Sequence, residues 1–140
     1  MRLFLDINVV LDVLANREPW VEDSAAVLSL LDHGEIEGLI AAHSVTTLYY
    51  LSSKHLGHKA AVAALIDLLE HLSITPLDEG ILLRALSLGW RDVEDAVQGI
   101  SAQRADADYF VTRNPTDFEA ASVPVVTPKQ LLAILASSTE

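Results

Sequence analysis

At 140 residues, 51% of them hydrophobic, the chain is long enough to bury a core as a single domain over 1–140 and too apolar to be disordered. It contains no cysteine, which excludes disulfides and thiolate metal sites. Its net charge of -11 argues against a simple nucleic-acid-binding module that relies on Lys and Arg to neutralise phosphates. Such acidity is compatible with a site that gathers carboxylates around a cation, and equally with ordinary charge for solubility.

The apolar start is interrupted by Asp6, Asn8 and Asp12 and has no small-residue cleavage site, so it reads as part of the fold and not as a signal peptide. No run approaches the ~18 apolar residues of a membrane span. A soluble cytoplasmic protein is expected. Residues 2–6 form a buried-strand pattern. Residues 8–15 and 22–33 are helical, the second entered through Glu22-Asp23-Ser24 and stopped at Gly34. A second strand covers 38–42. Ser44 is placed to cap a helix from 45 to about 54, Gly57 breaks it, and an apolar helix follows over 58–71. A third strand covers 73–77. Asp78 caps a helix that ends near Gly89, and Asp92 caps the next, 93–104. Strands at 108–112 and 123–126 follow. Thr127-Pro128 opens a last helix to about 136, with proline at the first helical position. Short apolar strands alternating with helices predict a five-stranded parallel sheet inside a three-layer α/β/α sandwich.

In such folds ligands gather at the carboxyl ends of the strands. Asp6 ends the first strand, with Asn8 close enough to orient it. Asp92, Glu94 and Asp95 open the helix at 93. Asp117 follows the fourth strand, behind Thr112, Arg113 and Asn114. Taken singly, each acid is also what an ordinary cap or turn requires. Together they form a hard-oxygen set at one edge of the sheet, suited to Mg²⁺ or Mn²⁺. The histidines (His33, His43, His55, His58, His71) are too scattered to suggest zinc. Arg17, Arg91 and Arg113 are candidate phosphate contacts.

The segments LDINVVLDVL, DVEDAVQGISAQRADADYFVTRNPTDF and VPVVTPKQLL resemble the PIN-domain family, and most closely its bacterial members related to VapC toxins. The resemblance covers essentially the whole chain. It implies a five-stranded parallel sheet, a divalent-metal carboxylate site and endoribonuclease activity. By position Asp6, Asp95 and Asp117 match the family's acidic residues, and Asn8, Thr112 and Asn114 match the polar residues around them. The chain departs from the pattern once. Where the family places a glutamate in the helix after the second strand, this sequence has Thr47. The acid nearest to replacing it would be Asp92 or Glu94.

The chemistry implied is metal-assisted hydrolysis of an RNA phosphodiester by Asp6, Asp95 and Asp117, with no protein nucleophile. Thr47 supports an alternative, a degenerate PIN domain that binds RNA or a protein without cutting. A receiver-like phosphoaspartate domain has a similar layout, but Leu5-Asp6-Ile7 lacks the acidic pair it needs. The apolar segments Leu48–Leu51 and Ala60–Leu69 predict a homodimer. The family likeness further implies an antitoxin that places a basic side chain against the acidic site.

Overall fold

Strand β1 (Arg2–Leu5) is apolar on both sides: Leu3 and Leu5 enter one core cluster and Phe4 enters another. This is the two-residue period of a strand covered on both faces. Strand β2 (Glu37–Ala41) repeats it, with Ile40 on the Leu3 side and Leu39 and Ala41 on the Phe4 side. Strand β4 (Tyr109–Val111) does the same with Val111 and Phe110. Strands β3 (Leu72–Thr75) and β5 (Val125–Val126) form the edges. A computed structural model describes residues 1–118 and 120–138.

The order is β3-β2-β1-β4-β5 and every pairing is parallel. The chain leaves β1, winds outward through β2 to β3, then crosses back to lay β4 against the other side of β1. The strand order therefore reverses between β1 and β4. A crevice opens at the carboxyl ends of strands where this happens.

Five helices cover the Leu3 face: α1 (Ile7–Leu14), α2 (Val21–Ser29), α3 (Ala42–Leu56), α4 (His58–Leu69) and α7 (Pro128–Ser138). They contribute Val9, Val10, Leu11, Val27, Leu48, Leu65 and Leu131 to its core. The Phe4 face is covered by α6 (Val93–Arg104) through Ala102, and α5 (Glu79–Ser87) packs on α6 through Ile81 and Ala85. The expected three-layer α/β/α sandwich is the fold.

Local boundaries differ in instructive places. Ser44 caps nothing. β2 runs straight into α3 with Ala41 at the cap position, and Ser44 is buried inside the helix. The helix expected over 22–33 tightens into a 3-10 turn at Leu30–His33 before Gly34, whose φ of 75° only glycine adopts freely. Asp78 does cap α5, its Oδ1 accepting from the Ile81 N–H at 2.8 Å. Of the surface expected to be sticky, Leu48 is fully buried, while Tyr50 and Ile66 are each 58% exposed. More apolar surface lies on α5, where Leu83 and Leu86 are largely exposed. Among the described residues no helix is long and apolar enough to cross a membrane.

Candidate metal centre

Asp6 stands one residue beyond β1, at the N-cap position of α1, but its side chain does not cap that helix. Thr112 Oγ1 donates to Asp6 Oδ2 at 2.8 Å, and Gln98 Nε2 donates to Oδ1 at 3.1 Å. The Gln98 Oε1 in turn accepts from the Ile7 N–H at 3.1 Å. One buried amide of α6 thus grips both the carboxylate and the backbone at the β1–α1 turn. Thr112 follows β4, the neighbour of β1, and its Oγ1 accepts from the Asn114 N–H at 3.1 Å. Asp6 is only 2% exposed. Burial raises its pKa, against the lowering effect of the bonds from Thr112 and Gln98.

Asp92 caps α6 as expected, its Oδ1 accepting from the Asp95 N–H at 3.2 Å. That turn brings Asp95 to a cleft of about 800 Å³, bordered also by Trp90, Arg91, Asp92, Thr116 and Asp117. Asp117 is exposed on a 3-10 turn, Pro115–Phe118. The turn is anchored by Phe118, buried against Phe110 at 4.4 Å between ring centroids and meeting Trp90 edge-on at 6.0 Å. Trp90 can lie there because α6 has Gly99 beneath it. A Cβ at that position would come within 3.0 Å of the indole.

The Asp95 carboxyl is pushed up to about 7. Burial is the largest cause, followed by the negative charges of Asp92, Asp6, Asp117 and Glu94. Four carboxylates thus oppose the ionisation of a fifth, an excess that a bound cation would relieve. Asp95 and Asp117 share the cleft, while Asp6 is buried beyond its border and acts on Asp95 through its charge.

Other expected residues sit differently. The Asn8 side chain turns away from Asp6, its Oδ1 accepting from Arg17 at 3.4 Å, and it is the Asn8 backbone that bonds the Asp6 carboxylate and lowers its pKa. Thr47 is half-buried and its hydroxyl donates back to the His43 carbonyl at 3.4 Å, within its own helix. His43 faces Glu94; burial lowers its pKa and the Glu94 carboxylate opposes this. Arg17 and Arg113 both lie against Asp12, which is fully buried, with Nε–Oδ distances of 3.0 and 3.5 Å. Burial raises the Asp12 pKa despite the two guanidiniums.

Asp12 and Gln98 are the residues that reading the sequence missed. Each is visible in retrospect as a polar residue inside an apolar helical run, INVVLDVL for Asp12 and the buried stretch 96–102 for Gln98.

Among the described residues no three His, Asp or Glu side chains stand close enough to cage an ion unaided. The available donors are nevertheless hard oxygens, with no thiolate and no histidine bordering the cleft. Magnesium is usually held by one or two carboxylates and completes its shell with water and substrate phosphate. The carboxylates bordering the cleft, Asp95 and Asp117, are therefore of the donor type that suits Mg²⁺ or Mn²⁺ in an open site, while Asp6 lies buried beyond the border with both oxygens already accepting from Gln98 and Thr112.

Comparison with known proteins bears on the family and the fold. The family model for the PIN domain matches residues 2–116. The chain belongs to the PIN-domain family. The matched span of this PIN domain includes Asp6 and Asp95 and ends one residue before Asp117. Ribonuclease VapC1 of Aquifex aeolicus is 23% identical to it over 134 residues, 92% of each chain. Among solved structures, the fold is similar to VapBC2 from Rickettsia felis bound to a promoter DNA fragment, with a TM-score of 0.68 and 20% identity over 91% of this chain and 98% of that one. It is also similar to VapC20 from Mycobacterium tuberculosis, a sarcin-ricin loop cleaving toxin, with a TM-score of 0.66 and 16% identity over 86% and 95% of the two chains.

Proposed function

We propose that this PIN domain is a divalent-metal-dependent endoribonuclease, the toxin of a toxin–antitoxin pair, with residues 1–140 forming one domain. The observation that carries this reading is the pressure of Asp92, Asp6, Asp117 and Glu94 on Asp95 at the point where the strand order reverses. Capping of α6 accounts for Asp92, but not for the further carboxylates gathered on Asp95, an arrangement that a bound cation would stabilise. The name of the Aquifex relative supports RNA as the substrate.

In this reading Asp6, Asp95 and Asp117 hold Mg²⁺ or Mn²⁺. Gln98 and Thr112 hold Asp6 in place and oppose the rise that burial gives its pKa, Asp92 sets the first turn of α6, and Asn114 holds the Thr112 hydroxyl. A divalent ion there supplies a nucleophile from water and charge for the departing oxygen of the phosphodiester. Arg91, at the border of the cleft, is placed to meet a phosphate. Incubating the protein with labelled RNA, with and without Mn²⁺, tests this. Cleavage should need the metal and vanish in Asp95→Asn and Asp117→Asn proteins that stay folded.

Thr47 favours a second reading, a PIN domain that binds RNA or a protein without cutting it, because its hydroxyl is a neutral donor already turned to its own backbone. Metal-dependent RNA binding with no product would select it.

The partner is an antitoxin, a reading supported by the solved relatives, several of which are toxin–antitoxin complexes. An acidic cleft in a chain of net charge -11 attracts a guanidinium, which can take the place of the metal's charge with paired hydrogen bonds. A peptide carrying that arginine should compete with Mn²⁺. Absence of any co-purifying basic-tailed protein, together with no competition, would leave a stand-alone ribonuclease.

A further inference from the structure

A second pocket, of about 330 Å³, lies beside the end of β4, bordered by Trp20, Ser24, Arg113, Thr127 and Lys129. We infer that it binds one unpaired nucleotide of the RNA strand next to the nucleotide being cut, the base against the Trp20–Arg113 pair and a phosphate on Lys129. The inference rests on the ribonuclease reading and assigns that site a neighbouring substrate contact.

Two consecutive residues link the pocket to the acidic centre. Thr112 bonds Asp6, while Arg113 packs on Asp12 and Trp20. The Arg113 guanidinium lies 3.8 Å from the centre of the Trp20 ring. It covers the indole only in part, since Trp20 remains 43% exposed. A planar cation stacked on an open aromatic ring is a sequence-tolerant platform for an unstacked base.

Charge favours a nucleotide over a neutral ligand. Arg17 and Arg113 share the single carboxylate of Asp12, which leaves positive charge in surplus. Lys129 adds another cation with no ion pair among the described residues, and Asp23 at the border removes one. In a chain of net charge -11 this pocket is a place where phosphate is attracted without metal.

The pocket also holds an unanswered polar group. Ser24 is 1% exposed and its buried hydroxyl has no hydrogen-bond partner among the described residues. A buried hydroxyl without a partner is costly unless a ligand or water supplies one. The start of α7 is not the anion site. Thr127 already caps it by accepting from the Gln130 N–H at 3.0 Å, and Gln130 Oε1 accepts from the Thr127 N–H at 2.9 Å.

The test uses the cleavage-disabled Asp117→Asn protein and a labelled single-stranded RNA, titrated over a salt series. Trp20→Ala should weaken binding about ten-fold, the loss of one base-stacking contact. Lys129→Ala should lower the slope of log affinity against log salt by about 0.7, the loss of one phosphate contact on a single strand. Trp20→Phe, which keeps a ring, should restore most of the affinity. Mn²⁺ affinity should be the same in all four proteins. RNA binding unchanged by both Trp20→Ala and Lys129→Ala would overturn the pocket alone and leave the ribonuclease reading standing. A parent protein that binds no RNA would overturn both. Variants that lose an antitoxin but keep RNA would assign the pocket to a protein partner and overturn the inference.

Discussion

Thr112 Oγ1 donates a 2.8 Å hydrogen bond to Asp6 Oδ2, and both residues are essentially inaccessible to water. The bond ties the end of β4 to the end of β1, across the point where the strand order reverses. Removing it leaves a buried carboxylate oxygen short of a donor. Thr112→Val should cost about 1–3 kcal/mol in denaturant unfolding, raise the Asp6 pKa further, and weaken Mn²⁺ binding. Thr112→Ser, which keeps the hydroxyl, should retain most of both. Equal stability of the Val and wild-type proteins would show that the bond contributes nothing.

Asp95 makes the metal-free protein sensitive to pH. Its carboxyl titrates at an ordinary 3.8 when unfolded and at about 7 in the fold. Between those values the folded chain keeps a proton that the unfolded chain has released, so stability falls as pH rises through the window. Above it the full penalty of the ionised group is present. Thermal unfolding without metal should therefore show a Tm declining from pH 4 to 7, and Asp95→Asn should flatten the decline. Mn²⁺ should raise Tm more at pH 8 than at pH 5. A Tm that rises across the window in the absence of metal would contradict the charge cluster.

Asp12 holds two guanidiniums from a fully buried position. Taking away the carboxylate leaves Arg17 and Arg113 without their counter-ion. Asp12→Ala should cost about 3 kcal/mol, toward the lower end of such losses because the Arg17 side chain keeps 33% of its surface in water. Asp12→Asn should cost less than Ala, since an amide oxygen still accepts from Arg. Chemical denaturation of the two variants gives the comparison.

Thr47 offers a gain-of-function test. Its hydroxyl makes only a long bond to its own helix, so little is lost on replacement. Thr47→Glu should tighten Mn²⁺ binding several-fold and speed RNA cleavage, by adding the acid that the family pattern places there. Calorimetric titration with an unchanged Kd would remove this position from the site.

The exposed leucines of α5, with Leu83 at 59% and Leu86 at 62% exposure, and the exposed Tyr50 and Ile66 lead us to expect a homodimer. Light scattering should give about twice the 15.2 kDa of one chain. Leu83→Glu with Leu86→Glu should shift the mass to one chain if α5 forms the interface, and Tyr50→Glu with Ile66→Glu if α3 and α4 do. A mass of one chain for the unaltered protein at micromolar concentration would end this expectation.

The sequence by itself determined the fold class and the element order. Apolar strands such as RLFL and EGLIA need cover on both faces, and helices such as α6 announce themselves through a cap at Asp92. It also placed Asp6, Asp95 and Asp117 at one edge, because acids at strand ends and first helical turns are local facts. Only the tertiary structure decided what each side chain faces. Asp6, which looks like a helix cap, is instead bound by Gln98 and Thr112, residues 92 and 106 positions away. Ser44, which looks like a cap, is buried because β2 passes directly into α3. Asp12 and Gln98 read as interruptions of apolar runs until the sheet brings Arg113 to one and Asp6 to the other. A carboxylate's partners are chosen by which strands lie side by side, and that order is a property of the whole chain, which no local pattern encodes.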